Sequence, residues 1–139
     1  LRAAERAARG ETGRLRVGFV EAATYSGILP EVLAFFRQHV PEVSLGLFEM
    51  DSLQQAEALR EERIDLGVVH NAPPDAHRWL RVERVIDDSL VAAVPEAHPL
   101  ATRPRLALAD FAAEAFVFFP RHVGPVLYDQ VIASCRSAG

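Results

Sequence analysis

The stretch Arg14–Met50, RLRVGFVEAATYSGILPEVLAFFRQHVPEVSLGLFEM, decides the fold because strand, helix and strand patterns follow one another in it. A short apolar run from Leu15 to Val20 predicts a strand that is buried on both faces. Apolar residues at helical spacing come next and predict a helix near 27–39, with Pro30 in its first turn. Alternating apolar residues then predict a second strand near 43–49.

The pattern then repeats, which predicts a second helical crossover and a third strand. A helix is expected near 52–61, with Asp51 or Ser52 as its N-cap, and a buried strand near 65–69. The polar side of this helix, which includes Gln55, is expected to face solvent. Strand–helix–strand units of this size have parallel strands, and ligands bind at the carboxyl ends of such strands. The chain is therefore predicted to form an α/β fold with a ligand site at that edge of the sheet.

The second half of the chain, beyond Trp79, predicts a separate arrangement. Its apolar runs first indicate an extended segment at 80–94, which enters a second sheet, and a short helix at 106–111. They then indicate a buried strand at 116–119 and a final helix at 126–136. The predicted units are the end of a helix at 1–12, a first lobe at 13–88 and a second lobe at 89–139. A lobe with two strands is too small to be stable alone, so the second lobe is expected to be incomplete in this chain.

Length, charge and cysteine content exclude several classes of protein. The chain has 139 residues, half of them apolar, and no apolar run approaches the roughly 18 residues of a membrane span. Its first residues lack the apolar core of a signal peptide, and a net charge of −4 argues against direct contact with nucleic acid. The single Cys135 excludes an internal disulfide, suits the cytoplasm and is expected to be buried. The histidines are not clustered with carboxylates, so neither a metal site nor a cofactor is expected.

Polar side chains follow each of the three predicted strands of the first half. Two roles are open for the hydroxyls of Thr24 and Ser26, which follow the first strand, and of Ser52, which follows the second. They either orient an anion at a helix N-terminus or only cap the helix. His70 and Asn71 follow the third strand, where they either hydrogen-bond a ligand or face water. Both alternatives stay open from the residues alone.

A fourth polar loop, Pro120 to Pro125, lies in the second half of the chain. Arg121 and His122 in this loop can bring positive charge to an acid from the opposite side of a cleft. The alternative is a solvated loop without a ligand.

Four segments of the chain, in this spacing, carry a resemblance to a known family. They read GRLRVGFVEAATYSGILP, PEVSLGLFEMDS, LREERIDLGVV and LVAAVPEAHPLA, and together they resemble the effector-binding domain of LysR-type transcriptional regulators. The first two segments are most similar to regulators of aromatic catabolism. The resemblance implies two Rossmann-like lobes, similar to type II periplasmic binding proteins, with an inducer between them. It also implies an N-terminal winged helix-turn-helix and a dimerising linker helix, of which residues 1–9 are the tail.

The resemblance implies positions for the inducer contacts as well. They fall on Ala23, Thr24, Ser52, His70, Pro120, Arg121 and His122, and Asn71 joins this set as the neighbour of His70. In some acid-sensing relatives an Arg stands where this chain has His70, which puts a fixed carboxylate clamp in doubt.

The function expected from these observations is sensing rather than catalysis. The inducer is expected to be a small organic anion, the protein a homodimer or homotetramer, and DNA a partner only through the missing N-terminal domain. A solute-binding protein of a transporter is the first alternative, against which the absent signal peptide speaks. A small α/β enzyme is the second, against which the lack of a nucleophile–base pair and of a phosphate-binding loop speaks.

Overall fold

The computed structural model describes residues 2–139 and contains five α-helices and three β-strands in that part of the chain. The helices are α1 Arg2–Ala8, α2 Ala22–Tyr25, α3 Ile28–His39, α4 Ser52–Arg60 and α5 Pro125–Ala138. The strands are β1 Gly13–Phe19, β2 Val43–Glu49 and β3 Leu66–Val68, and short 3-10 helices lie at Ala76–Arg78 and Leu108–Phe111.

The three strands form one parallel sheet in the order β2-β1-β3, as the sequence predicts. In its register Val17 of the central strand lies between Leu47 and Leu66. Both crossovers contain a helix, α3 between β1 and β2 and α4 between β2 and β3. This topology brings the carboxyl ends of all three strands to the same edge.

Helix α4 packs against the sheet over two glycines, Gly18 of β1 and Gly67 of β3. A Cβ atom at Gly18 would lie 2.7 Å from Cδ1 of Ile64 and 3.1 Å from Cγ of Gln55. The expectation that Gln55 faces solvent is wrong, because this side chain is 0% exposed. The two glycines leave a hollow under the helix that a long side chain fills, and Gln55 occupies it.

The prediction that β1 is buried on both faces holds for only part of the strand. Val17 and Gly18 are buried, whereas Leu15 and Phe19 are half-buried. On the face opposite α4, the neighbouring strands leave Leu47 43% exposed and Leu66 49% exposed. The described residues therefore cover one face of the sheet well and the other incompletely.

The segment after β1 is a helix where the sequence indicates a turn. The hydroxyl of Thr24 donates to the carbonyl of Glu21 at 2.6 Å, and that of Ser26 donates to the carbonyl of Ala23 at 3.1 Å. Neither caps α3, whose N-cap is Gly27 with φ of 80°. The capping alternative is therefore ruled out for this pair, because both hydroxyls bond backward within their own turn.

Two predicted strands of the second half are absent from the described residues. Residues 80–94 contain no helix or strand, and Phe116–Phe119 are irregular, with Val117 fully exposed. A strand needs a neighbour to bond its backbone groups, and the described residues offer these segments none. The prediction of strands at 80–94 and 116–119 is therefore wrong for the described residues, because an apolar run forms a strand only where a neighbouring strand pairs with it.

The final helix is present and longer than predicted, over Pro125–Ala138. The side chains expected to point inward, Val126, Leu127, Val131 and Ile132, are half-buried, and no residue of α5 is fully buried. Cys135 is likewise half-buried rather than buried. With one 3-10 helix and irregular chain as neighbours, α5 has too little apolar surface to pack against.

Asp65 links the start of β3 to β1 and should make the stability of the sheet depend on pH. Its Oδ1 accepts from Nη2 of Arg16 at 2.6 Å, and its Oδ2 accepts from the backbone N–H and Nε of the same residue. These bonds lower the pKa of Asp65 from its ordinary 3.8 to about 2. A lowered pKa means that the stabilisation is present above pH 4 and is lost as the pH falls toward 2.

We expect Asp65→Asn to lower the free energy of unfolding by about 1 kcal/mol at pH 7, a value reduced by solvent screening because the two side chains are 31% and 37% exposed. The difference from the unsubstituted protein should shrink between pH 4 and pH 2, since protonation removes the same charge. Denaturant unfolding at several pH values measures it. A difference that stays constant across this range would contradict the assignment.

Candidate functional site

The candidate site lies at the carboxyl edge of the sheet, where the loops after the three strands meet. The backbone N–H of Met50, after β2, donates to the carbonyl of Phe19 at 3.0 Å. The backbone N–H of Val20, after β1, donates to the carbonyl of Val68 at 3.1 Å. The ends of all three strands are thus tied together by backbone hydrogen bonds, with β1 in the centre.

The loop after β1 contributes Ala23 and Thr24, both within α2. Ala23 is 8% exposed, and Thr24 is exposed with its hydroxyl bonded to the carbonyl of Glu21. The hydroxyl of Tyr25 donates to Oε1 of Glu21 at 3.0 Å, and this carboxylate raises the pKa of Tyr25. The acceptor that Thr24 offers to a ligand is therefore its hydroxyl oxygen, since its proton is already used.

The loop after β2 carries a capping box in front of Ser52. Oδ1 of Asp51 accepts from the backbone N–H of Gln54 at 2.8 Å, and Oε1 of Gln54 accepts from the backbone N–H of Asp51 at 3.1 Å. Asp51 is therefore the N-cap and Ser52 the first residue of α4, half-buried. This arrangement fixes the first turn of α4 and leaves the hydroxyl of Ser52 beside it.

The loop after β3 contributes His70, which is exposed, and Asn71, which is half-buried. The loop is anchored where it ends, because Nη2 of Arg60 donates to Asp75 at 3.1 Å while the guanidinium lies 4.5 Å from the ring centroid of Trp79. Helix α4 thus contacts this loop from its C-terminal end. His70 and Asn71 lie in the part of the loop between the end of β3 and this anchor.

Gln55 is a polar residue of the site region that the sequence reading missed. Its Nε2 donates to the carbonyl of Met50 at 2.9 Å and to the carbonyl of Val68 at 3.2 Å. The fully buried amide thereby joins the end of β2 to the end of β3. The signal in the sequence was the pair Gly18 and Gly67, which lie side by side in the register and make room for it.

The remaining predicted contacts, Pro120, Arg121 and His122, lie in an exposed turn before α5. Arg121 makes its contacts within this half of the chain. Its Nε and Nη2 donate to the two carboxylate oxygens of Asp129 at 2.7 and 2.5 Å, which raises the pKa of Arg121 and lowers that of Asp129. The structure therefore ties together the strand ends of the first half, whose loops carry the other candidate residues, and pairs Arg121 with Asp129 of α5.

The described residues contain neither a metal-binding cluster nor a membrane-spanning helix. Residues 2–139 contain no group of three His, Cys, Asp or Glu side chains placed to hold a metal ion. Within the same range, every helix is too short or too polar to cross a membrane.

Comparison with known proteins identifies the family. The family model described as LysR substrate binding domain matches residues 8–139. The chain belongs to this family. Among curated LysR relatives, the uncharacterized HTH-type transcriptional regulator YnfL of Escherichia coli (strain K12) is 38% identical over 134 residues, which is 96% of this chain and 44% of that protein. The chain therefore spans less than half the length of this LysR relative.

Solved structures of LysR-type proteins agree with the fold. A mutant of OxyR from Corynebacterium glutamicum matches with a TM-score of 0.74 and 26% identity, covering 99% of this chain and 45% of that one. The effector-binding domain of BenM with its effector benzoate matches with a TM-score of 0.52 and 26% identity, covering 85% of this chain and 56% of that one. This chain accordingly has the periplasmic-binding-protein-like α/β fold of LysR effector-binding domains and covers only part of it.

Proposed function

We propose that this chain is the effector-sensing part of a LysR-type transcriptional regulator, and that its effector is a small organic anion bound at the carboxyl edge of the sheet. The observation that carries the proposal is the convergence of three strand-end loops on one edge, tied by the bonds of Met50 and Val20. Family membership and the benzoate bound by BenM support it. Relatives that are named transcriptional regulators disfavour the transporter alternative and an enzyme.

The electrostatics of this edge suit an anion. The N-terminus of α4 carries backbone N–H groups and the positive end of the helix dipole, and Ser52 adds a hydroxyl. Three carboxylates lie nearby. Asp51 is held by the N–H of Gln54 and Glu21 by the hydroxyl of Tyr25, and these hydrogen bonds partly compensate their charge. Glu49, the exposed last residue of β2, also contributes to the raised pKa of Tyr25, so the N-terminus of α4 has to outweigh its charge.

Arg121 is proposed as the contact from the second lobe, with His122 beside it. Because its guanidinium is bound by Asp129 through two hydrogen bonds, an anion has to share or displace that carboxylate. We therefore expect its contribution at the lower end of the range for a charge-assisted hydrogen bond, about 1.5 kcal/mol.

We expect Ser52→Ala to weaken the binding of benzoate by about tenfold, since one hydrogen bond to a charged group is lost. Arg121→Ala should weaken the binding of benzoate by a similar factor and leave the binding of the neutral benzamide unchanged. Calorimetric titration of the complete regulator with the acid and its amide measures both. Ser134→Ala is the matched control, because that hydroxyl donates to the carbonyl of Gln130 within α5.

Equal affinities for the acid and the amide, unchanged by Arg121→Ala, would contradict the anion proposal and favour selection by apolar shape. Failure of both compounds calls for the same comparison with other acid–amide pairs, beginning with dicarboxylic acids. If no acid binds more tightly than its own amide, the proposal is wrong.

The complete regulator is proposed to be a cytoplasmic homodimer or homotetramer that contacts DNA through an N-terminal domain. Helices α3 and α4 are proposed as the contacts between copies. Helix α3 is the better candidate for this interface, because its Val32 is 53% exposed and its Phe35 is 62% exposed. Helix α4, in contrast, buries Gln55 and Ala58 against the sheet. The proposed interface therefore centres on the exposed face of α3.

A further inference from the structure

We propose that Gln55 is a positioning residue, which sets the spacing between the loop after β2 and the loop after β3 and so shapes the effector site. The inference rests on the proposed function, since it assigns a role to Gln55 in that site. Its basis is the pair of hydrogen bonds from one amide nitrogen to the carbonyls of Met50 and Val68, at 2.9 and 3.2 Å.

Both N–H groups of the Gln55 amide donate to backbone carbonyls at the ends of strands. The carbonyl of Met50 belongs to the residue before the capping box, and Ser52 is two residues farther on. The carbonyl of Val68 ends β3 and also accepts from the N–H of Val20, and His70 is two residues farther on. One side chain thus fixes the distance between the backbone segments that carry candidate effector contacts.

The orientation of the amide follows from its neighbours. With the nitrogen facing two carbonyl oxygens, the flipped assignment would set oxygen against oxygen. The space is limited as well, because a Cβ atom at Gly67 would lie 3.0 Å from Oε1. The amide is therefore closely packed against β3 at this position.

Packing alone does not explain an amide at this position. Gln55 is 0% exposed, and its Oε1 is buried without a hydrogen-bond partner among residues 2–139, which costs free energy. A methionine would fill the same volume without leaving an orphan acceptor. What the amide adds over methionine is the bond to each strand end, so we assign its role to the alignment of the two loops.

The test compares Gln55→Met with Ala58→Gly in the complete regulator. Ala58 lies on the same helix and is also 0% exposed, so its substitution destabilises α4 without touching either strand end. Hydrogen exchange followed by mass spectrometry reports on the backbone N–H groups of Val20 and Met50, which bond at the edge. We expect faster exchange in these segments in Gln55→Met, beyond any change in Ala58→Gly.

The same variants are titrated with benzoate. We expect Gln55→Met to weaken binding by about tenfold, or about 1.4 kcal/mol, relative to Ala58→Gly. If Gln55→Met does not fold, Gly67→Ala takes its place, because the added Cβ displaces the amide without removing it. Exchange at the strand ends equal to that of Ala58→Gly would overturn the positioning role. If exchange at the strand ends is altered but neither the unsubstituted regulator nor any variant binds an acid, the positioning role is supported and the proposed function is overturned.

Discussion

Gly18→Ala is expected to lower the free energy of unfolding by about 2 kcal/mol, as an overpacked core does. The added Cβ would lie 2.7 Å from Cδ1 of Ile64, closer than such atoms approach in proteins. Ile64 is 3% exposed and Gly18 lies in the central strand, so relief of the clash requires the buried Ile64 side chain to turn or the sheet to shift. The approach to Cδ1 of Ile64 is the closest contact of the added Cβ and can be removed separately, whereas the approach to Cγ of Gln55 at 3.1 Å remains.

A double-mutant cycle with Ile64→Val tests the contact. Valine lacks the Cδ1 atom that clashes, so Ile64→Val alone should cost about 1 kcal/mol, and the double variant should be more stable than the sum of the two losses. Denaturant unfolding measures all four proteins. Gly46→Ala is the control in β2, since its Cβ would meet ring atoms of Phe48, which is only half-buried. Strictly additive losses would show that the clash is relieved elsewhere.

The sheet was predictable because its signals are local and repeated. Each strand is a short apolar run bounded by polar residues, and the helices between them force parallel pairing. The position of the candidate site is inferred from that topology, since parallel strands place their carboxyl ends at one edge. Candidate residues such as Ser52 and His70 could therefore be placed at that edge without knowledge of any distance.

The inner face of α4 was not predictable from hydropathy. Helical periodicity ranks a glutamine as outward-facing, whereas Gln55 is buried and Leu53 is 47% exposed. The deciding factor is non-local, because Gly18 and Gly67 lie on different strands and together open the hollow that receives the amide. Sequence periodicity describes the helix alone and carries no information about the surface beneath it.

The errors in the second half have a different cause. The run at Phe116–Phe119 has the composition of a buried strand, but strand formation depends on partners distant in sequence. Arg121 illustrates the same limit for a site residue, because its ion pair with Asp129 joins a loop to a helix eight positions away. Such a pairing changes the charge that Arg121 can offer, and no motif indicates it.

The other large effect concerns assembly. Phe35→Asp is expected to weaken association of the complete regulator by at least about thirtyfold, because a buried aromatic residue at the centre of an interface contributes about 2 kcal/mol or more. Phe35 is 62% exposed in the single chain, and its ring stacks on His39 with centroids 3.9 Å apart. Val32 lies one turn away and is 53% exposed, which extends the same apolar patch along α3.

Sedimentation equilibrium over a range of concentrations measures the association constant. Gln38→Asp is the matched control, because it places the same charge on an exposed polar position of α3 without removing apolar surface. If the linker helix holds two copies together independently, the loss should appear as a shift from tetramer to dimer rather than from dimer to monomer. An association constant that falls equally in both variants would assign the effect to charge, and an unchanged constant in Phe35→Asp would place the interface on another surface of the chain.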